Sequence, residues 1–91
     1  MNSDFKTPGE LGHLIAQNVR ARRKARKLSM KRLSEMTDVS LGSIKRFETS
    51  GMISLTSLLK IAIVLNCEEA FEQLFAHSSP QTIQEIIDGN L

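Results

Sequence analysis

The sequence predicts an all-α fold, and three observations point there. Apolar residues recur three and four positions apart along most of the chain, the spacing that gathers them on one side of a helix. Ser29, Ser40 and Ser54 each stand just before such a run, where a serine oxygen accepts from a free first-turn amide. No segment shows the apolar–polar alternation of a half-buried strand.

Taken in order, residues 1–9 read as a flexible polar lead ending in Pro8-Gly9. A first helix is predicted from Glu10 to Arg26, with Leu11, Leu14, Ile15 and Val19 on its inner face and a second half rich in Arg, Lys and Ala, all good helix formers. Ser29 opens a second helix to about Thr37 that turns Leu28, Leu33 and Met36 inward. Asp38 follows where the chain must turn, a residue that tolerates the left-handed conformation better than most. Ser40 caps a third helix, residues 40–49, with Ile44 and Phe47 on one face; Thr49-Ser50-Gly51 closes it. Ser54 caps a fourth, with an apolar stripe of Leu55, Leu58, Leu59, Ala62 and Leu65, and Asn66 stands at the expected left-handed end. A fifth, Glu68 to Phe75, is expected to bury Phe71, Leu74 and Phe75. Beyond a break at Ser78-Ser79-Pro80, residues 82–87 can form one or two further turns carrying Ile83, Ile86 and Ile87.

At 91 residues the chain has room for one domain. Its net charge of +2 hides a lopsided distribution. Up to Lys60 there are twelve basic and five acidic groups, a balance of +7; beyond it stand Glu68, Glu69, Glu72, Glu85 and Asp88 with no Lys or Arg. Eight of the basic residues fall between Arg20 and Arg32. Three readings fit such a run: a surface for nucleic acid, a surface for a protein partner, or a solvated face. Cys67 is the one cysteine, which excludes an intramolecular disulfide and a cysteine-built zinc site and suits a reducing compartment. No run approaches the roughly 18 apolar residues of a membrane span. The N-terminus has no basic start followed by an apolar stretch, so it is not read as a secretory signal, and a cytoplasmic location is expected.

Enzyme chemistry finds no footing. His13 and His77 lie far apart with no carboxylate cluster beside either, no Gly-rich loop follows a strand, and Cys67 adjoins two glutamates rather than positive charge. No catalytic residue, metal site or cofactor is expected.

The stretch from Leu28 to Gly51 now reads as two short helices joined by a tight turn. Small Ser34 suits the point where they cross, Val39 is apolar just past the turn, and Ile44 and Phe47 anchor the second helix. Leu28-Ser29, Leu33, Thr37, Val39-Ser40, Ile44 and Arg46-Phe47-Glu48 resemble the signature of phage-repressor-like (cro/cI-type) helix-turn-helix regulators. Ser54-Leu55, Leu58 to Ala62 and Leu65 resemble the helix that follows in that family. The resemblance covers roughly residues 11–75. It implies a compact five-helix bundle of the lambda-repressor-like type over residues 10–75, a short C-terminal extension over 76–91, and binding of double-stranded operator DNA, usually as a homodimer. Three positions depart from the family: Met30 where Gln is frequent, Asp38 for the usual turn Gly, and Thr49-Ser50 for the usual Asn-Gly.

Matched to the family, the base-contacting edge comprises Ser40, Leu41, Gly42, Lys45 and Arg46. Lys45 and Arg46 are suited to guanine, whose N7 and O6 accept from a basic side chain, and Leu41 to a thymine methyl. Gly42 in a helix costs roughly 0.5–1 kcal/mol relative to Ala; it is either a close approach to DNA or a tolerated defect. Ser29 and Lys31, at a helix N-terminus, are phosphate candidates; Ser43, Ser50 and Gly51 are lesser ones. In the family the arginine at Arg23 pairs with the glutamate at Glu48, which implies a structural ion pair here.

Ile63 and Val64 lie where a polar face is expected, which suggests an interface with a second copy, together with Ile83, Ile86 and Ile87; a wider core stripe is the alternative. A second functional class stays open. Short chains of this type also resemble antitoxins of toxin–antitoxin operons, including those paired with Hip-type kinases. There the acidic region from Glu68 to Leu91 would meet a toxin protein while the body binds the operon's own promoter.

Overall fold

A computed structural model of the chain describes residues 6–76. Five helices run in order: α1 (Pro8–Ala25), α2 (Met30–Thr37), α3 (Leu41–Ser50), α4 (Leu55–Val64) and α5 (Glu68–Glu72). Among the described residues there is no strand. The expected further turns with Ile83, Ile86 and Ile87, the break at residues 78–80, and His77 lie outside the described residues.

Local chemistry sets most boundaries. Ser29, Ser40 and Ser54 cap α2, α3 and α4, their hydroxyl oxygens accepting from the amides of Arg32, Ser43 and Ser57 at 2.9, 3.1 and 3.1 Å. The first helix begins two residues earlier than expected because Thr7 and Glu10 form a reciprocal capping box. The Glu10 amide donates to Thr7 Oγ1 at 3.1 Å, and the Thr7 amide donates to Glu10 Oε1 at 2.8 Å. Pro8 then occupies the first helical position, where its missing N–H costs nothing. Lys27 and Asn66 adopt left-handed backbone just past α1 and α4. The amides of Lys27 and Leu28 return to Lys24 and Arg23 carbonyls, and those of Asn66 and Cys67 to Ile63 and Ala62, which satisfies the open ends of both helices. Asp38 is left-handed as expected, with φ of 61°.

Helix α1 packs on α3, α2 on both α3 and α4, and α5 on α4. Leu33, Val39, Ile44, Ile61 and Leu65 form one buried cluster; Ala16, Phe47 and Leu58 form a second, with Ile15, Val19 and Ile53 at its margin. Several inward assignments are corrected. On α1 the inner line runs through Ile15, Ala16, Val19 and Arg23, leaving Leu11 and Leu14 exposed. The reason is a crossing of α1 over the end of α3. A Cβ on Gly51 would lie 2.7 Å from the Gly12 carbonyl carbon and the His13 nitrogen, and a Cβ on Gly12 2.9 Å from the Gly51 carbonyl oxygen. Two bare backbones meet there, which turns the Gly12 side of α1 inward. Gly51 also has φ of 78°, so glycine is required twice over.

On α4 the stripe is rotated to Leu58, Ile61, Ala62 and Leu65, with Ile61 fully buried and Leu55 exposed. Met36 is exposed at the end of α2. The fifth helix ends at Glu72, three residues short of the expected Phe75, and buries no residue. Phe71 is half-buried against the second cluster, whereas Leu74 is exposed and Phe75 is 97% exposed. No single helix among the described residues is long and apolar enough to cross a membrane.

Candidate nucleic-acid interface

The interface is built around α3, whose two sides differ in kind. Ile44 and Phe47 point inward and are fully buried. Gly42, Lys45 and Arg46 are exposed, with Leu41 and Ser43 half-buried beside them. Nothing lies within 4 Å of a Cβ built on Gly42, so this edge is bare.

Arg23 holds α3 against the rest of the fold. Its Nε donates to Glu48 Oε2 at 2.8 Å and its Nη2 to Glu48 Oε1 at 2.9 Å, a two-pronged pair across α1 and α3. Nη1 donates to the Leu28 carbonyl at 2.7 Å, which adds the α1–α2 turn to the same guanidinium. The side chains of Arg23 and Glu48 are each 8% exposed. A buried charge pair of this geometry is a lock: removing either partner strands the other.

The turn between α2 and α3 is knitted by short side chains. The Ser34 hydroxyl donates to the Val39 carbonyl at 2.6 Å, while Thr37 Oγ1 donates to the Leu33 carbonyl at 2.7 Å and accepts from the Val39 amide at 3.2 Å. Ser34 thus does more than fit a crossing; it fixes the angle at which α3 leaves the turn.

Lys45 and Arg46, neighbours in sequence, serve different flanks of α3. Lys45 lines a groove with Arg20, Arg23, Met30, Glu48 and Thr49. Arg46 lines the opposite groove with Ser43, Gly51, Met52, Ile53, Ser54 and Ser57. Consecutive helical residues diverge by about 100°, which explains the split.

The hydroxyls separate the phosphate candidates. Ser29 uses an acceptor lone pair for its cap, so its O–H stays free to donate, and Lys31 beside it is exposed. Ser40 donates to Ser43 Oγ at 2.8 Å while capping α3. Ser50 donates to the Arg46 carbonyl at 2.7 Å and accepts from the Met52 amide at 3.2 Å. The Gly51 amide donates to the Phe47 carbonyl at 2.7 Å. Ser50 and Gly51 therefore spend their donors on terminating α3, the closing role that their sequence suggested, rather than leaving them for a phosphate.

The remaining residues are placed as follows. Ile63 is 57% exposed on α4. Val64 is half-buried at the margin of the first core cluster, and its carbonyl accepts from Arg26 Nη1 at 2.6 Å. Cys67 is half-buried, its thiol 3.4 Å from the Leu65 carbonyl. His13 is exposed on α1. No group of three or more His, Cys, Asp or Glu able to hold a metal ion occurs among the described residues.

Two short helices at a fixed angle, the second with a bare and basic leading edge, have the geometry of a helix-turn-helix. Comparison with protein families agrees: the helix-turn-helix family model matches residues 19–71, more than half of the chain. No curated protein and no solved structure matched. The matched span includes the Arg23–Glu48 lock, both helices of the hairpin and all of α4. The chain belongs to the cro/cI-type helix-turn-helix family of DNA-binding regulators.

Proposed function

We propose that this regulator is a repressor that binds operator DNA as a homodimer in the bacterial cytoplasm. The observation that carries the reading is the leading edge of α3: Ser40, Gly42 and Arg46 exposed, Leu41 half-buried, on a helix locked from behind by Arg23 and Glu48. Arg46 is the guanine reader, Leu41 the partner of a thymine methyl, and Ser40 and Gly42 the close approach to base edges. Ser29, Lys31 and Ser43 bind phosphates. A homodimer supplies two such edges about 34 Å apart, one for each successive turn of DNA. Exposed Ile63 belongs to that interface; Val64 contributes only the side it does not give to the core. Selecting bound duplexes from a random pool tests the reading. A recurring two-fold-related sequence is expected, and a bound pool no different from the input would refute it.

One observation favours a second role beside the first. Helix α5 presents exposed Glu68, Glu69 and Glu72, followed by exposed Leu74 and Phe75. An acidic surface ending in uncovered apolar side chains suits a protein partner with a basic, apolar groove, as an antitoxin would need for its toxin. Growth arrest by the product of the adjacent gene, relieved by this chain but not by its Phe75→Asp variant, would establish it.

A further inference from the structure

The groove between α1 and α3 has a charge arrangement that the base-reading edge does not use. Its walls carry Arg20, Arg23 and Lys45 against a single acid, Glu48, with Met30 and Thr49 completing a space of about 370 Å³. Both carboxylate oxygens of Glu48 are taken by Arg23, so that pair is neutral as a unit. Arg20 and Lys45 are exposed, and neither side chain has a hydrogen-bond or ion-pair partner among the described residues. Two uncompensated cations, one from α1 and one from α3, thus face a common groove on the flank of the proposed reading helix. Left in water they would repel, and nothing in the fold calls for them to share it.

We infer that Arg20 and Lys45 clamp one backbone phosphate of the DNA duplex when the edge of α3 enters the major groove. The inference rests on the DNA-reading orientation proposed above. It adds α1 to the contact surface, and it moves Lys45 from base reading to backbone gripping. The chemistry follows from the placement. A helix seated in the major groove has a sugar–phosphate strand along each flank, and Lys45 looks to the α1 flank while Arg46 looks to the other. An arginine fork and a lysine point charge together match the diester's two free oxygens. The mutually neutralised Arg23 and Glu48 and the apolar Met30 line the same groove and add no net negative charge to it.

Phosphate contacts and base contacts separate by experiment. Each phosphate contact adds about one unit to the slope of log K against log salt, for any sequence, whereas a base contact changes preference at one position. Affinity of the full chain for a mixed-sequence duplex is measured across a salt series for the parent and for Arg20→Ala, Lys45→Ala, the double variant and Arg22→Ala. Arg22 is the control, because it lines a different groove with Ala25, Arg26, Leu65 and Asn66. The expected result is a slope reduced by about one unit for each of the first two and about two for the double, with Arg22→Ala near the parent. Arg20→Lys should restore most of the slope, and thermal melts should not change, since both side chains are exposed. Equal slopes for Arg20→Ala and Arg22→Ala would overturn the clamp while leaving the DNA-binding reading intact. A parent with no salt-dependent duplex affinity would overturn both.

Discussion

The inner and outer sides of α3 follow opposite rules, although they alternate along ten residues. Inside, Ile44 and Phe47 are closed off and Glu48 accepts two hydrogen bonds from Arg23, whose third goes to the Leu28 carbonyl. Outside, Gly42, Lys45 and Arg46 are exposed, and nothing stands within 4 Å of a Cβ built on Gly42. One side uses its interactions to hold the helix at a fixed angle, and the other stays exposed, where the proposed reading places the duplex. Stability and binding should therefore come apart residue by residue along a single helix.

The largest expected effect is on the inner side. Glu48→Ala leaves the Arg23 guanidinium buried and unpaired, and should cost about 3–5 kcal/mol of stability. For a domain of this size each kcal/mol lowers the midpoint by roughly 4–8 °C, so the variant should be largely unfolded at growth temperature. Thermal melts check it, and a midpoint equal to the parent's would remove the lock from the description. Phe47→Ala should cost a similar 3–5 kcal/mol by emptying the second core cluster. Gly51→Ala tests the meeting with Gly12. Left-handed strain alone is worth roughly 1–2 kcal/mol, and the clash with the α1 backbone adds to it, so a loss of more than 2 kcal/mol is expected.

On the outer side the signs change. Arg46→Ala should leave the melt within about 0.5 kcal/mol of the parent while weakening operator binding by roughly 1–3 kcal/mol and relaxing preference at one base pair. Competition binding with single-base operator variants reads this; loss of stability alongside loss of binding would blur the boundary between the two sides. The smallest effect is the sharpest in sign. Gly42→Ala should stabilise the fold by up to about 0.5–1 kcal/mol, since nothing stands where the new Cβ would go. If the edge approaches DNA closely, binding falls as stability rises. An unchanged affinity would mark Gly42 as a tolerated defect instead.

How much of this was legible in the sequence depends on the range of the interaction. The caps at Ser29, Ser40 and Ser54, the left-handed Asp38 and Asn66, and the inward Ile44 and Phe47 all follow from neighbours within one turn, and all could be read. The Arg23–Glu48 pair spans 25 positions, and only resemblance to a family suggested it. The rotation of α1 was out of reach, because it depends on Gly12 meeting Gly51, and an apolar stripe says that a face exists without saying how a distant backbone turns it. That is why Leu11 and Leu14 were expected inside while Ala16 went unnoticed. In α4 apolar residues surround most of the helix, so Leu55 and Ile61 exchanged roles. At α5 the apolar pattern runs on past the last turn that packs on α4, and Leu74 and Phe75 are exposed. At the interface, the family resemblance together with residue type pointed to Lys45 and Arg46 but could not tell that they line opposite flanks.

A nuclear magnetic resonance titration of the labelled chain with a DNA duplex bears on the matter with the fewest intervening assumptions. Amide shifts should concentrate at residues 40–46, at the start of α2 and along the Arg20 flank of α1, while Ile61 and the α5 glutamates stay still. Shifts gathered on α5 and Ile63, with residues 40–46 unmoved, would mean that DNA meets another surface and that the bare edge of α3 serves some other partner.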